Sequence, residues 1–512
     1  MEKSFFEAPQ AKERQSVSAN AEFDCVIIGA GLAGLACGLS LIKQGHNVCV
    51  LEAAEVGSGQ TPRSSAMITF AHDPIYYRLI KKHGLETAAE FLRLQKLGAE
   101  KLEEAINEHS IDCDYTKTDF SLYATTEKGA KEIKQEKEAY TKLGVSFSQF
   151  HDSELPLNIT EQLILEDQAH LNPAKFLAGL AAAFESLGGV IYERSRVVKE
   201  PEEKYVEVNG CNIGYKHLII ASHYPYVNIF PNFFFIKLYQ HRNHNMVFEN
   251  GLKLKNMYEG CDDEWYEFRP VESGVLVGGG AARTGTDGHV SRFEEMERYL
   301  SENFGVTPQQ IVSRFSAQDV MTFDLMPYVG KASRLWNNVY VVTGFNKWGF
   351  TNAFAAAEII ADMIIEAGSK NSPSPKGCPK GGVADTEGGV KNIFSPQRAS
   401  LVMAPVKSVQ NLGHIVSAFA ELVLNAQQKN IQRIGLEQGA VVKHKGQRIG
   451  VYKDKNGKPC CVSAICPHMG CALTWNKDEK SWDCPCHGSR FDYKGQLLDN
   501  PALEDLEKKE LE

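Results

Sequence analysis

No stretch of this 512-residue chain approaches the roughly 20 consecutive apolar residues that a bilayer-spanning helix requires. The polar opening MEKSFFEAPQAKERQ also lacks the apolar core of a secretory signal. Both absences point to a cytoplasmic protein. Positive charge is not in excess either, since 55 Lys and Arg stand against 64 Asp and Glu, a formal net charge of −9. That balance argues against a nucleic-acid footprint. A secreted disulfide framework is missing despite 13 cysteines, because most of those outside the C-terminal region are scattered singly, as buried free thiols are. There is no second nucleotide fingerprint, and no His, His and carboxylate constellation for a mononuclear iron. The length supports more than one core.

What the chain does have is concentrated near its C-terminus. Cys466-Pro-His468-Met-Gly-Cys471 is followed, after a charged and aromatic spacer, by Cys484-Pro-Cys486-His487-Gly-Ser489. Two Cys and two His at these offsets suit a Rieske [2Fe-2S] centre, in which two histidines replace two cysteines on one iron. A tetrahedral Cys2His2 zinc site is the competing reading, although zinc fingers usually place a Cys pair before a His pair and here each half supplies one of each. The boxes resemble the Rieske protein of cytochrome bc complexes. That resemblance implies Cys466 and Cys484 on one iron, His468 and His487 on the other, and a disulfide between Cys471 and Cys486. It also puts Ser489 where the family hydrogen-bonds a cluster sulfur, which raises the reduction potential. Phe491 stands where high-potential members carry a Tyr, which implies a cluster easier to oxidise than theirs. Cys460 and Cys461 fall outside the boxes and receive no role.

Near the N-terminus a β-rich run from Asp24 to Ile28 meets Gly29-Ala30-Gly31-Leu32-Ala33-Gly34, an apolar helical segment to about Gln44, and a second strand that ends at Glu52 and Ala53. The first glycine permits a tight turn, the second a close approach to a pyrophosphate, and the third close helix–strand packing. The helix N-terminus binds the phosphates and Glu52 the adenosine ribose hydroxyls. FAD and NAD share this fingerprint. The loop VGSGQTPRSSAM and the closing stretch VYVVTGFNKWGFTNAF resemble the FAD-dependent oxidoreductases of the D-amino-acid oxidase fold family, specifically members with a C-terminal Rieske domain. The resemblance covers about residues 22–367 and 390–510. It implies flavin contacts at Ser64, Ser65 and Ala66, an adenine contact at Val197 on a strand, and a returning strand ending at Ala221. It further implies a ring-cradling turn and helix N-terminus from Gly344, Phe345, Lys347, Trp348, Gly349, Phe350 and Thr351, whose N–H groups would stabilise charge on the reduced flavin.

Period-2 alternation along LYQHRNHN puts Gln240, Arg242 and His244 on one face and His241 and Asn243 on the other. Arg242 matches an arginine of the Rieske-bearing relatives and could anchor a substrate carboxylate; a surface arginine is the alternative. His223 reads as a satisfied loop histidine, and no residue stands out as a general base. The organisation expected is a flexible arm over 1–22 and an FAD-dependent oxidoreductase over 23–367. The latter has FAD-binding segments at about 23–80, 155–225 and 320–367 and a substrate domain at about 81–154 and 226–319. A linker follows over 368–430, whose apolar stripe from Val406 to Val423 reads as an amphipathic helix docked on the core or in contact with a membrane surface. A Rieske domain occupies 431–512. The fold class is α/β, a Rossmann-like FAD-binding domain with an antiparallel-sheet substrate domain, plus a small all-β domain.

The resemblance implies oxidation of an amine or amino acid C–N bond at FAD, with electrons passed singly through the cluster to an external acceptor, a quinone or small redox protein. A dehydrogenase is favoured over an oxidase. The alternatives are a reductase fed through the cluster and a non-catalytic electron-transfer flavoprotein. A Rieske oxygenase and a disulfide-reductase-type enzyme are disfavoured by the absences noted above.

Overall fold

The structure is a computed structural model that describes residues 4–7, 12–149, 153–227, 233–286, 290–369, 392–398 and 431–510. The stripe expected from Val406 to Val423 lies outside the described residues, as does most of the expected linker. No described helix is long and apolar enough to cross a membrane.

Three runs with little or no polar interruption, in Ala21–Ile28, Val48–Leu51 and Val339–Thr343, form the middle of a seven-stranded sheet. Its order is Tyr328–Lys331, Val339–Thr343, Cys211–Ile220, Ala21–Ile28, Val48–Leu51, Val190–Tyr192, and Tyr205–Val208 pairs with Cys211–Ile220 off this path. The inner pairs are parallel, Val26 lying opposite Cys49 on one side and Leu218 on the other. Parallel strands covered on both faces have no use for alternation, which is why these segments read as continuous apolar runs. Helices Leu32–Lys43, Pro173–Ser186 and Gly349–Ser369 share one hydrophobic core with the sheet. Asn172 caps the second of these, its side chain accepting from the N–H groups of Ala174 and Lys175, with Pro173 at the first helical position.

A second sheet has eight strands in the order Ile311–Thr322, Leu238–Phe248, Gly274–Arg283, Tyr266–Val271, Met257–Gly260, Thr116–Ala124, Glu161–His170, Met67–Ile68. All its pairs are antiparallel except Met257–Gly260 with Thr116–Ala124. The C-terminal region folds as two small antiparallel sheets of three and four strands around Trp475 and Trp482, whose ring centroids lie 4.5 Å apart.

Two expectations need correction. Val197 is not on a strand, because the chain after Tyr192 leaves the ladder: Arg194 and Ser195 donate their N–H groups to the carbonyls of Ala54 and Glu52 at 2.8 Å. The arm, where it is described, is packed rather than flexible. Arg14 is paired with Glu185 and Glu193, Val17 N–H donates to Ser195 Oγ, and Phe6 is buried against Phe315.

Candidate functional site

The fingerprint builds one wall of a cavity of about 290 Å³. Gly34 is required there because a β-carbon would stand 1.9 Å from the carbonyl oxygen of Gly29, so the helix could not seat on the turn that precedes it. Helix Leu32–Lys43 has neither a side-chain cap nor an acidic residue in its first turn, so its N–H groups suit an anion. One of them, on Leu32, donates to Thr61 Oγ1 at 3.2 Å. The Glu52 carboxylate accepts from the N–H groups of Ala30 at 2.8 Å and Ala54 at 2.9 Å. Burial nevertheless pushes its pKa up.

Most of the residues expected to meet a dinucleotide converge on this cavity from six segments. Gly29, Gly31, Leu32 and Ala33 line it together with Glu52 and Ala53; Ser64, Val197 and Ala221 add further wall; Gly344, Phe345, Lys347, Gly349 and Phe350 close one end. Lys347 and Asn346 both adopt positive φ, +77° and +51°, a left-handed backbone that is uncommon for a lysine. The helix that follows has no acidic residue in its first turn. Ala30, Gly34, Ala66 and Thr351 do not line the cavity. Thr351 instead bonds His72 and donates to Gln95, behind the stacked pair of His72 and Trp348 rings at 4.6 Å. His223 lines the cavity as a neutral imidazole, its pKa lowered by burial to about 4.

A narrower cavity of about 60 Å³ adjoins, sharing Gln60, Ser64, Asp319, Lys347, Gly349 and Phe350 with the first. Ser65, Met67, Asn243, Asn245, Glu259, Trp265, Glu267, Ala317 and Trp348 complete its wall. Asn243 and Asn245 belong to the face of strand Leu238–Phe248 opposite Arg242. Arg242 therefore points away from both cavities, and the substrate anchor expected of it is corrected: it is buried in an ion pair with Glu479 of the C-terminal region and bonds Ser316. Burial opposes ionisation of Glu479, but Arg242 and Arg490 hold its pKa down at about 2.

The C-terminal boxes come together as two loops. Cys466 and Cys484 are buried with their thiols in mutual hydrogen-bond contact, and Ser489 also reaches Cys466. The rings of His468 and His487 stand perpendicular, 5.0 Å apart. Burial lowers their pKa values to about 4 and about 3, which leaves neutral imidazoles, the metal-ligating form. Neither ring nitrogen of the buried His487 has a partner, nor does Nδ1 of His468. Orphaned buried nitrogens beside two thiols are what a two-iron cluster would satisfy. Cys471, Cys484 and Cys486 have sulfurs within 4.8 Å of one another, but Cys471 and Cys486 are joined at 2.07 Å and offer no thiolate.

This region sits directly on the first cavity, to which it contributes Leu498, Asp499, Asn500 and Leu503. Three glutamines tie the two together. Gln60 donates to Asp499 at 2.6 Å and accepts from the Gln318 N–H at 2.8 Å. The Gln318 amide donates to Gln240 at 2.6 Å and to the Gly488 carbonyl at 2.9 Å. Gln240 donates to the carbonyls of His487 and Asn500, both at 2.8 Å. Contact is close enough that a β-carbon on Gly488, at φ +85°, would lie 2.5 Å from that of Gln240. Arg283 adds bonds to the carbonyls of Pro485 and Cys486. The glutamine network, Thr61, Glu259 and Glu267 were not singled out from sequence; the only local signal is the Gly- and Ser-rich loop that contains Gln60 and Thr61.

Comparison with known proteins agrees with this division. Residues 24–363 match the family model "FAD dependent oxidoreductase", and residues 424–510 match "Rieske [2Fe-2S] domain". A Bacillus subtilis (strain 168) protein described as a Rieske 2Fe-2S iron-sulfur protein, YhfW, is 29% identical over 500 residues, 96% of this chain and 94% of that one. Gamma-glutamylputrescine oxidoreductase of Escherichia coli (strain K12) is 24% identical over 364 residues, 67% of this chain and 83% of its own length. Glycine oxidase from Geobacillus kaustophilus shares the fold at a TM-score of 0.57 and 17% identity, covering 68% of this chain and 95% of that one.

Proposed function

The chain belongs to the FAD dependent oxidoreductase family and carries a Rieske [2Fe-2S] domain, and from that premise we propose that it oxidises the C–N bond of an amine or amino acid and delivers the electrons singly to an external redox partner. The observation that carries this reading is the shared wall, in which Leu498, Asp499, Asn500 and Leu503 of the Rieske region line the same cavity as the dinucleotide fingerprint. Bound FAD supplies a two-electron acceptor and the cluster a one-electron relay.

The chain's own groups have definable tasks. The uncapped N-terminus of helix Leu32–Lys43 holds a pyrophosphate, and the N-terminus of helix Gly349–Ser369 favours negative charge at the ring end of the cavity. Cys466, Cys484, His468 and His487 would hold the iron centre. Burial pushes Glu267 up to about 7 and Asp319 up to about 6, so either carboxylate can take the proton that an ammonium must lose before its C–H bond can give up a hydride.

The two histidines differ in exposure. His487 is buried against Phe235, ring centroids 6.0 Å apart, beneath the glutamine network. His468 is half-buried among the exposed side chains of Ile465, Pro467 and Met469. A buried histidine beside the glutamine network and a half-buried one nearer solvent support a relay from flavin to partner, and hence a dehydrogenase. The test is turnover of an amine and amino acid panel with a one-electron dye. Cys484→Ser should cut dye reduction by about tenfold or more while substrate still bleaches the flavin; dye reduction at the native rate would refute the relay.

A further inference from the structure

The narrow cavity has a charge balance that the family likeness does not specify. Its wall carries three carboxylates, Glu259, Glu267 and Asp319, against one cation, Lys347, whose ammonium lies 4.2 Å over the ring of Trp265. No arginine or histidine lines it. The carboxylates come from three different strands, Met257–Gly260, Tyr266–Val271 and Ile311–Thr322, so the cluster is assembled by the sheet and is not a run of surface charge.

The unpartnered polar atoms point the same way. Glu259 Oε2 and Asn245 Oδ1 are buried without a hydrogen-bond partner, on residues 2% and 1% exposed, and Asn243 Oδ1 is likewise unpartnered. Both asparagines have their orientation fixed by their amino groups. Asn245 Nδ2 donates to the Arg63 carbonyl at 3.2 Å and Asn243 Nδ2 to Glu267 at 3.5 Å. Among the fully buried side-chain atoms of this wall, three acceptors and one donor, the indole N–H of Trp348, lack a hydrogen-bond partner. Buried acceptors left open call for a ligand rich in N–H donors. Burial, the charge of Asp73 and a hydrogen bond with it keep Glu259 well above the ordinary carboxylate range, so it holds a proton until a cation arrives beside it.

We infer that this cavity binds a cationic aliphatic amine that carries no carboxylate, an alkylamine or diamine, with Glu259 and Glu267 as its binding residues; this rests on the amine-oxidation reading and narrows it. An α-amino acid would bring a carboxylate for which this wall offers Lys347 as its one cationic partner, whereas an amine without a carboxylate needs none. At about 60 Å³ the space suits a small amine.

The test is anaerobic calorimetric titration of the holoprotein with butylamine, putrescine, glycine and L-proline, with the flavin absorbance recorded in parallel. The amines should bind about tenfold or more tighter than the amino acids, and Glu259→Gln and Glu267→Gln should each weaken amine binding by about tenfold or more. Amino acids binding as tightly as the amines, no saturable amine binding, or folded variants with native amine affinity would each overturn the inference. The selectivity of the unmodified protein decides the matter if a variant does not fold. Amine binding without bleaching of the flavin upholds the inference and defeats the oxidation reading. Bleaching by amino acids, with the amines inert and unbound, does the reverse.

Discussion

A single methyl group tests the cofactor cradle. Gly34→Ala would drive its β-carbon into the Gly29 carbonyl at 1.9 Å, so helix Leu32–Lys43 must lift from the turn and spoil its phosphate-binding end. FAD affinity should fall by about tenfold or more, read as FAD content after gel filtration or by equilibrium dialysis. Glu267 offers a second test at this scale. Its pKa rises from 4.5 to about 7 on folding, so between these values the folded chain keeps a proton that the unfolded chain has released. Stability therefore falls as pH rises across that window. Glu267→Gln should flatten that part of the pH profile and raise Tm above neutral pH by a few degrees, followed by thermal denaturation in a pH series. Residue chemistry of the local kind was legible in the sequence: the glycine fingerprint and the Cys-x-His and Cys-x-x-His boxes each set their geometry within a few residues. Glu259, Glu267 and Asn245 were not, because strands distant in sequence bring them together and no spacing records it.

At the scale of elements, strand Leu238–Phe248 shows what alternation can and cannot tell. Period 2 separated Gln240, Arg242 and His244 from His241 and Asn243, but nothing in the strand says which face meets the cavity and which meets the Rieske region. The structure turns Arg242 to Glu479 and Asn243 to the cavity. Arg242→Ala should therefore leave the KM for substrate within about twofold of native while destabilising the fold by about 3 kcal/mol, because Glu479 would lose one of its two buried guanidinium partners. Steady-state kinetics and denaturant unfolding check the two halves. A large rise in KM with unchanged stability would return Arg242 to the role of substrate anchor. The segment at Val197 was misjudged for a related reason, since its β-branched pair reads as a strand while its neighbours' N–H groups are taken by residues 52 and 54.

Across the whole molecule, two modules that can each be recognised in sequence share one cavity wall, and that sharing was not legible. Gln60, Gln240 and Gln318 lie far apart in the chain and belong to no motif; only their convergence on Asp499 and on the carbonyls of His487 and Gly488 gives them meaning. The packed arm was missed likewise, because Arg14 finds its partners, Glu185 and Glu193, more than 170 residues away. The central claim is that electrons entering at the cavity leave through the cluster. An anaerobic titration of the holoprotein with a bound amine or amino acid substrate, following flavin absorbance and the electron paramagnetic resonance of the cluster together, tests it most directly. The account predicts that the flavin bleaches and the reduced-cluster signal then grows at its expense. A flavin that stays fully reduced beside a cluster that remains oxidised and silent would contradict it.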